Sequence, residues 1–253
     1  MRIVISPAKS LDWESPVPKI TSTQPAFTDR AAQLIDILRT IDEPRLSRLM
    51  DISPALAALN TARYRQWNPD HRKKTRPAIY AFDGDVYTGL DAYTMDAESV
   101  KFAQKHLRIL SGLYGILKPL DKIHPYRLEM GTPLMIHGEK GLYHFWGEIV
   151  TNYLNNEMNK KKDVLINLAS EEYFKVIRTQ DLNARIITPS FYDLKEGQYK
   201  MISFFAKKAR GAMARYIIDH RIRNVSELKG FDTYGYLYSE PLSKGDKMVF
   251  IRG

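Results

Sequence analysis

The run Val164-Leu-Ile-Asn-Leu-Ala169 constrains this chain more than any other segment, because its apolar residues continue without the polar alternation of a half-wet strand. It belongs inside a sheet. A second apolar run, Arg2-Ile-Val-Ile5, is closed by Ser6-Pro7 and predicts another interior strand, ending in a loop that carries Lys9. Around these two strands the patterning is mostly helical. Ala31, Leu34, Ile35 and Leu38 share one face over 25–49, and Ala55, Leu56, Leu59, Ala62 and Trp67 do the same over 54–67. A polar, proline-bounded loop follows over 68–77.

Over 78–90, Asp83-Gly84-Asp85 predicts a turn between a strand and a second extended piece. Helices are predicted over 100–113 and 143–158, and Ser170 is placed to cap a new helix after the central strand. Ile186-Ile187 and 201–204 read as further strands, 205–223 as a helix, and 235–238 with 248–251 as a terminal hairpin or edge strands. Strands and helices interleave without strict alternation. The expected fold is therefore α/β in the mixed α+β sense: a single compact domain over 1–253, with a mixed sheet surrounded by helices.

Cysteine is absent, which removes disulfides, thiolate zinc sites, cysteine-ligated iron–sulfur clusters and thiol redox chemistry. No apolar run approaches the roughly 20 residues that cross a bilayer, and the apolar start is too short for a signal-peptide core. A cytoplasmic protein with no membrane partner is expected.

The formal charge of +9 is unevenly placed. Segments 63–76, 101–127 and 200–223 carry +5, +5 and +6, leaving −7 on the rest of the chain. Clustered Lys and Arg release counterions when they neutralise phosphates, so a polyanion is the expected partner, nucleic acid the simplest one. The alternative is three separate solvated faces. Candidate DNA contacts are Arg63, Arg65, Lys73, Lys74, Lys101, Lys105, Arg108, Lys118, Arg127, Lys207, Lys208, Arg210 and Arg215. Gly112 and Gly115 join them, because two glycines three apart after a basic helix suit a helix hairpin that points backbone N–H groups at a phosphate. In the helix over 205–223 the cations form a stripe opposite Ala209, Ala212 and Met213, and Gly211 suits a close approach by a backbone or a ligand.

No two of the six histidines have zinc-site spacing, so no metal is expected. The phosphate loops of the common nucleotide-binding folds and the serine hydrolase elbow are also missing, and no cofactor is implied. Asp83, Asp85, Glu129, Glu171 and Glu172 sit near turns or strand ends, where catalytic acids often lie.

Six ordered blocks resemble those of the bacterial YaaA family: Ile5-Ser-Pro-Ala-Lys-Ser-Leu-Asp12, Gly84-Asp-Val-Tyr-Thr-Gly-Leu90, Leu110-Ser-Gly-Leu-Tyr-Gly115, Pro125-Tyr-Arg-Leu-Glu-Met-Gly131, Asn167-Leu-Ala-Ser-Glu-Glu-Tyr-Phe-Lys175 and Ala206-Lys-Lys-Ala-Arg-Gly211. The resemblance implies a cytoplasmic protein of the peroxide stress response that limits iron-driven damage and binds duplex or distorted DNA. It also implies one α/β unit with a positively charged cleft and a helix-hairpin-helix element, best matched at 101–118. No obligate protein partner follows from it. The alternative is an enzyme acting on a phosphorylated or nucleobase-like substrate, with Lys9, Asp85, Tyr87, Glu129, Ser170 and Glu172 as candidate catalytic groups.

Overall fold

The computed structural model describes residues 1–70, 74–158 and 163–253, and places the two apolar runs side by side in the main sheet. Arg2–Ile5 pairs in parallel with Val164–Leu168 on one side and with Leu107–Ser111 on the other. Val164–Leu168 pairs in parallel with Arg185–Lys195, which pairs in parallel with Lys247–Arg252. Antiparallel strands finish the edges: Gly115–Leu117 at one and Leu237–Tyr238 at the other. Gln198–Lys200 folds back on Arg185–Lys195. The fold is mixed α/β, as expected.

Ile3, Val4, Ile5, Leu165, Ile166 and Leu168 are fully buried, so both faces of the central strands are covered. Each such side chain contributes about 2 kcal/mol by leaving water.

Numbered in chain order, the five parallel strands lie side by side as 2-1-3-4-5. The order reverses between Arg2–Ile5 and Val164–Leu168. Connections leaving these two strands run to opposite sides of the sheet, which opens a crevice beyond their carboxyl ends where doubly wound folds hold ligands.

Local expectations are corrected at several points, among them the strand expected before the Asp83 turn, which is a short helix, Ala78–Ala81, with only Phe82–Asp83 extended. The helix predicted over 25–49 is two, Thr28–Arg39 and Glu43–Met50, because Asp42 accepts a hydrogen bond from the Arg45 amide at 2.8 Å and Pro44 starts a new helix. The piece expected to be extended after Gly84 is a helix, Asp85–Leu90, and it packs across the helix Ser203–Asp219. The strand expected over 201–204 is absent, since that helix already begins at Ser203.

Ser170 precedes the short helix Glu171–Phe174 without capping it; its own amide donates to Ser6 Oγ. The helix predicted over 100–113 stops at His106, and Leu107–Ser111 is a buried strand. An apolar run that follows a helix continues the helical period just as well as it makes an interior strand, and packing beside Arg2–Ile5 decides the outcome.

The helix-hairpin-helix expected at 101–118 is therefore a helix followed by a β-hairpin. Ser111 Oγ accepts from the Tyr114 amide at 2.9 Å, and Gly115 takes φ +70° to close the reversal. A Cβ on Gly112 would lie 2.1 Å from the Leu128 carbonyl oxygen, and one on Gly115 would lie 2.6 Å from the Trp146 ring. These glycines serve internal packing and offer nothing to a phosphate.

Candidate functional site at the carboxyl ends of the central strands

The two strands that flank the reversal end in Ser6 and Ser170, one residue beyond Ile5 and two beyond Leu168. These serines join the strand ends: the Ser170 amide donates to Ser6 Oγ at 2.8 Å, and Ser6 Oγ donates to Ser170 Oγ at 3.2 Å. Behind them the Tyr87 hydroxyl donates to the Ser6 carbonyl at 3.2 Å. Burial keeps that phenol protonated far above its ordinary range, with Tyr126 and Tyr173 adding to the effect. Tyr87 thus supports the Ser6 loop from the interior.

Above this floor lies a pocket of about 370 Å³. Its walls come from the loop 6–10, the turn 83–86, the start of Glu171–Phe174 and one face of Ser203–Asp219. Lys9, Asp83, Asp85, Ser170, Glu172, Lys207 and Arg210 line it, so four of the six candidate catalytic residues converge there. Glu172 is anchored, since its Oε1 accepts from the Gly131 amide at 3.1 Å and its carbonyl accepts from the Tyr143 hydroxyl at 2.9 Å.

Glu129 stands beside the pocket, in a small recess also lined by Lys9 and Tyr173. Its Oε1 meets Arg127 at 2.9 Å and Lys9 at 3.4 Å. Its Oε2 is buried without a hydrogen-bond partner, leaving an acceptor free for a proton or a donor group. Tyr173 stays protonated, raised by burial first and by Tyr126, Glu172 and Glu129 after it.

Arg210 is the pocket's most informative group. It is half-buried, and among the described residues no carboxylate pairs with it. Burial alone pushes its pKa below the ordinary guanidinium value. A half-buried cation without a protein partner is poised for an anion from outside. Asp83, Asp85 and Lys207 likewise have no side-chain ion pair among the described residues.

A larger cavity, about 550 Å³, lies along the helix Leu142–Glu157 and is lined by Arg30, His137, Glu139, His144, Glu148 and Arg178. Its polar groups already face one another, His144 against Glu139 and Arg178 with Glu148 at 3.8 Å. It lies away from the strand ends, so the smaller pocket is the stronger site.

The predicted DNA contacts fall in several places. Lys207 and Arg210 line the pocket, and Arg127 adjoins it through Glu129. Arg108 is corrected: only 2% exposed, it holds Glu157 at 2.7 and 2.8 Å inside the protein and has no surface to offer. Arg215 bonds Asp219 at 2.6 Å and the Asp91 carbonyl at 2.6 Å, tying its helix to the segment after Leu90. Lys101 meets Glu98 at 2.6 Å, Lys118 meets Glu157 at 3.7 Å, and Lys208 lies 4.4 Å above the Tyr234 ring. Arg63 is half-buried and donates to Asn60 at 3.3 Å, while Arg65, Lys74 and Lys105 are exposed. Lys73 lies outside the described residues.

Sequence reasoning missed Ser6 and Ser10. The sign was there for Ser6: a small polar residue directly follows the first apolar strand, as Ser170 follows the second after one alanine.

No helix among the described residues is long and apolar enough to cross a membrane. Over residues 1–242 the chain matches the family model described as peroxide stress protein YaaA. A UPF0246 protein of Ralstonia pickettii is 54% identical, and one of Hahella chejuensis 51%, each matching all of this chain and 99% of its own length. A third, from Alteromonas mediterranea, is 52% identical over all of this chain and 98% of itself. Likeness of this depth runs along the whole length, and the chain belongs to the YaaA family of peroxide stress proteins.

Proposed function

We propose that this protein serves the peroxide stress response as a cytoplasmic enzyme acting on a phosphorylated or nucleobase-like substrate in the pocket at the strand ends. One observation carries the reading: Arg210, half-buried and unpaired among the described residues, opens into the same pocket as Asp83, Asp85 and Glu172. Arg210 and Lys207 hold the anionic part of the substrate. Asp85 and Glu172 are positioned for general acid–base work, with Lys9 and Glu129 adjoining as a coupled pair 3.4 Å apart.

The test is Glu172→Gln, which keeps an acceptor for the Gly131 amide but cannot carry a titrating proton. Cells relying on this variant should lose peroxide protection while the protein keeps its unfolding midpoint. Full protection would remove Glu172 from the chemistry.

DNA binding is the second reading, favoured by the exposure of Lys207 at the pocket and of Lys105, Arg65 and Lys74 elsewhere. In that reading Lys207 brings a strand to the pocket, and shielding the DNA limits iron-driven damage. Affinity for duplex DNA should then fall steeply with salt.

A further inference from the structure

We propose that the pocket selects a phosphate monoester whose far end carries N–H donors, the phosphate resting on Arg210 and Lys207 and the donors on Asp83 and Asp85. The proposal rests on the pocket reading given above and narrows its substrate class.

The charges argue for it first. Lys9 is engaged with Glu129 at 3.4 Å, and Glu172 already accepts from the Gly131 amide at 3.1 Å. Among the described residues this leaves two cations, Lys207 and Arg210, and two carboxylates, Asp83 and Asp85, without an ion pair or a hydrogen-bond partner for the charged group, while Glu172 has only the Gly131 amide. A ligand bearing only phosphates would satisfy the cations and meet two bare carboxylates. A ligand bearing only donors would leave Arg210 unpaired. Asp83 and Lys207 are exposed, so the cost of a mismatch falls chiefly on the half-buried Asp85 and Arg210. The complementary ligand has an anionic end and a donor end, and paired N–H groups match neighbouring carboxylates better than single hydroxyls.

The two poles stand on different elements, and among the described residues no ion pair joins them. Asp83 and Asp85 flank Gly84 at the start of Asp85–Leu90, whereas Lys207 and Arg210 stand on Ser203–Asp219. The two helices interlock through glycines: a Cβ on Gly211 would lie 1.8 Å from the Val86 carbonyl oxygen, and one on Gly89 would lie 2.0 Å from that of Lys208. Backbone contact therefore fixes the two helices, and with them the roots of the acidic and basic side chains, against one another. A volume of about 370 Å³ suits one sugar-phosphate or nucleoside monophosphate.

Calorimetric titration of the full chain tests this, with ribose 5-phosphate, glucosamine 6-phosphate, guanosine monophosphate, and adenosine triphosphate with magnesium as probes. At least one nitrogen-bearing monoester should bind about tenfold or more tighter than ribose 5-phosphate. Arg210→Gln, with Lys207→Gln as a second variant, should weaken every phosphate ligand by a similar factor. Asp83→Asn should erase the advantage of the nitrogen-bearing ester while ribose 5-phosphate binds no more weakly than before. Preference for guanosine monophosphate assigns the ligand to nucleotides, and preference for glucosamine 6-phosphate assigns it to amino sugars; both support the proposal. Equal binding of ribose 5-phosphate and the nitrogen-bearing esters, or tightest binding by the triphosphate, overturns it while the pocket reading stands. If no probe binds at about 10 mM, the pocket reading itself fails.

Discussion

Gly211 lies so close to Val86 that a single added carbon would come within 1.8 Å of the Val86 carbonyl oxygen. With the reciprocal contact of Gly89 on Lys208, it brings the helix of Arg210 against the helix of Asp85. Glycine stands within a long helix because no other residue permits that crossing. Its helix-weakening cost, about 1 kcal/mol against alanine, is offset by the packing it allows.

Gly211→Ala should destabilise the protein by about 2–3 kcal/mol, since overpacking against backbone cannot be relieved by turning a side chain. Urea unfolding measures this. A loss under about 0.5 kcal/mol, the range of an indifferent surface change, would contradict the contact.

Arg108 and Glu157 form a bidentate pair with the guanidinium buried, and removing Arg108 leaves Glu157 the longer ion pairs with Arg2 at 3.6 Å and Lys118 at 3.7 Å. Arg108→Met should cost about 2 kcal/mol, the loss of the charge-assisted hydrogen bonds. The pair also shapes the acid limb of stability. Burial alone would raise the Glu157 pKa, but the hydrogen bonds and charge of Arg108, helped by Tyr153 and Arg2, overcome it and hold the folded value below 4.5. A depressed carboxylate contributes fully above its unfolded value, about 4.3, and loses that contribution as the pH falls through the lower folded one. Unfolding free energy measured from about pH 6 to pH 3 should therefore fall less steeply in Arg108→Met than in the parent. Parallel curves would refute this.

Arg210→Gln should leave unfolding free energy within about 0.5 kcal/mol of the parent or raise it, because no internal partner is lost and a half-buried charge is removed. A group kept at a cost to folding and required for ligand is the expected pattern of a functional site. Thermal unfolding without ligand decides it: a large destabilisation would make Arg210 a structural residue.

For DNA, the exposed cations should behave differently from the buried one. Replacing Lys207 or Lys105 by Gln should each reduce the salt slope of DNA affinity by about 1 if they touch phosphates, whereas Arg108→Met should leave the slope unchanged. A slope altered only by Arg108→Met would contradict the placement of these side chains.

The central strands were legible because Val164–Leu168 and Arg2–Ile5 are apolar on both faces, a pattern that only an interior sheet accommodates. Leu107–Ser111 was not, since apolar residues continuing a helix leave the period ambiguous and only its neighbour strand resolves it. The helix at Asp85 was hidden by Val86, Tyr87 and Thr88, residues that favour strands in isolation and are overruled here by the glycine crossing. Lys9 and Ser170 could be named from strand-end placement, and Asp85 and Glu172 as acids near turns in blocks resembling those of the family. Their convergence depends on a strand order that no local pattern encodes, and so does the separation of Arg210 from Arg215, neighbours on one sequence stripe with different partners.

The most direct measurement is amide chemical-shift mapping of the full chain titrated with a phosphate monoester. The account predicts shifts concentrated at Ser6–Ser10, Asp83–Val86, Ser170–Glu172 and Lys207–Arg210, at the carboxyl ends of the strands where their order reverses. Shifts confined to the cavity of Arg30, His144 and Arg178, with none at these four segments, would contradict it.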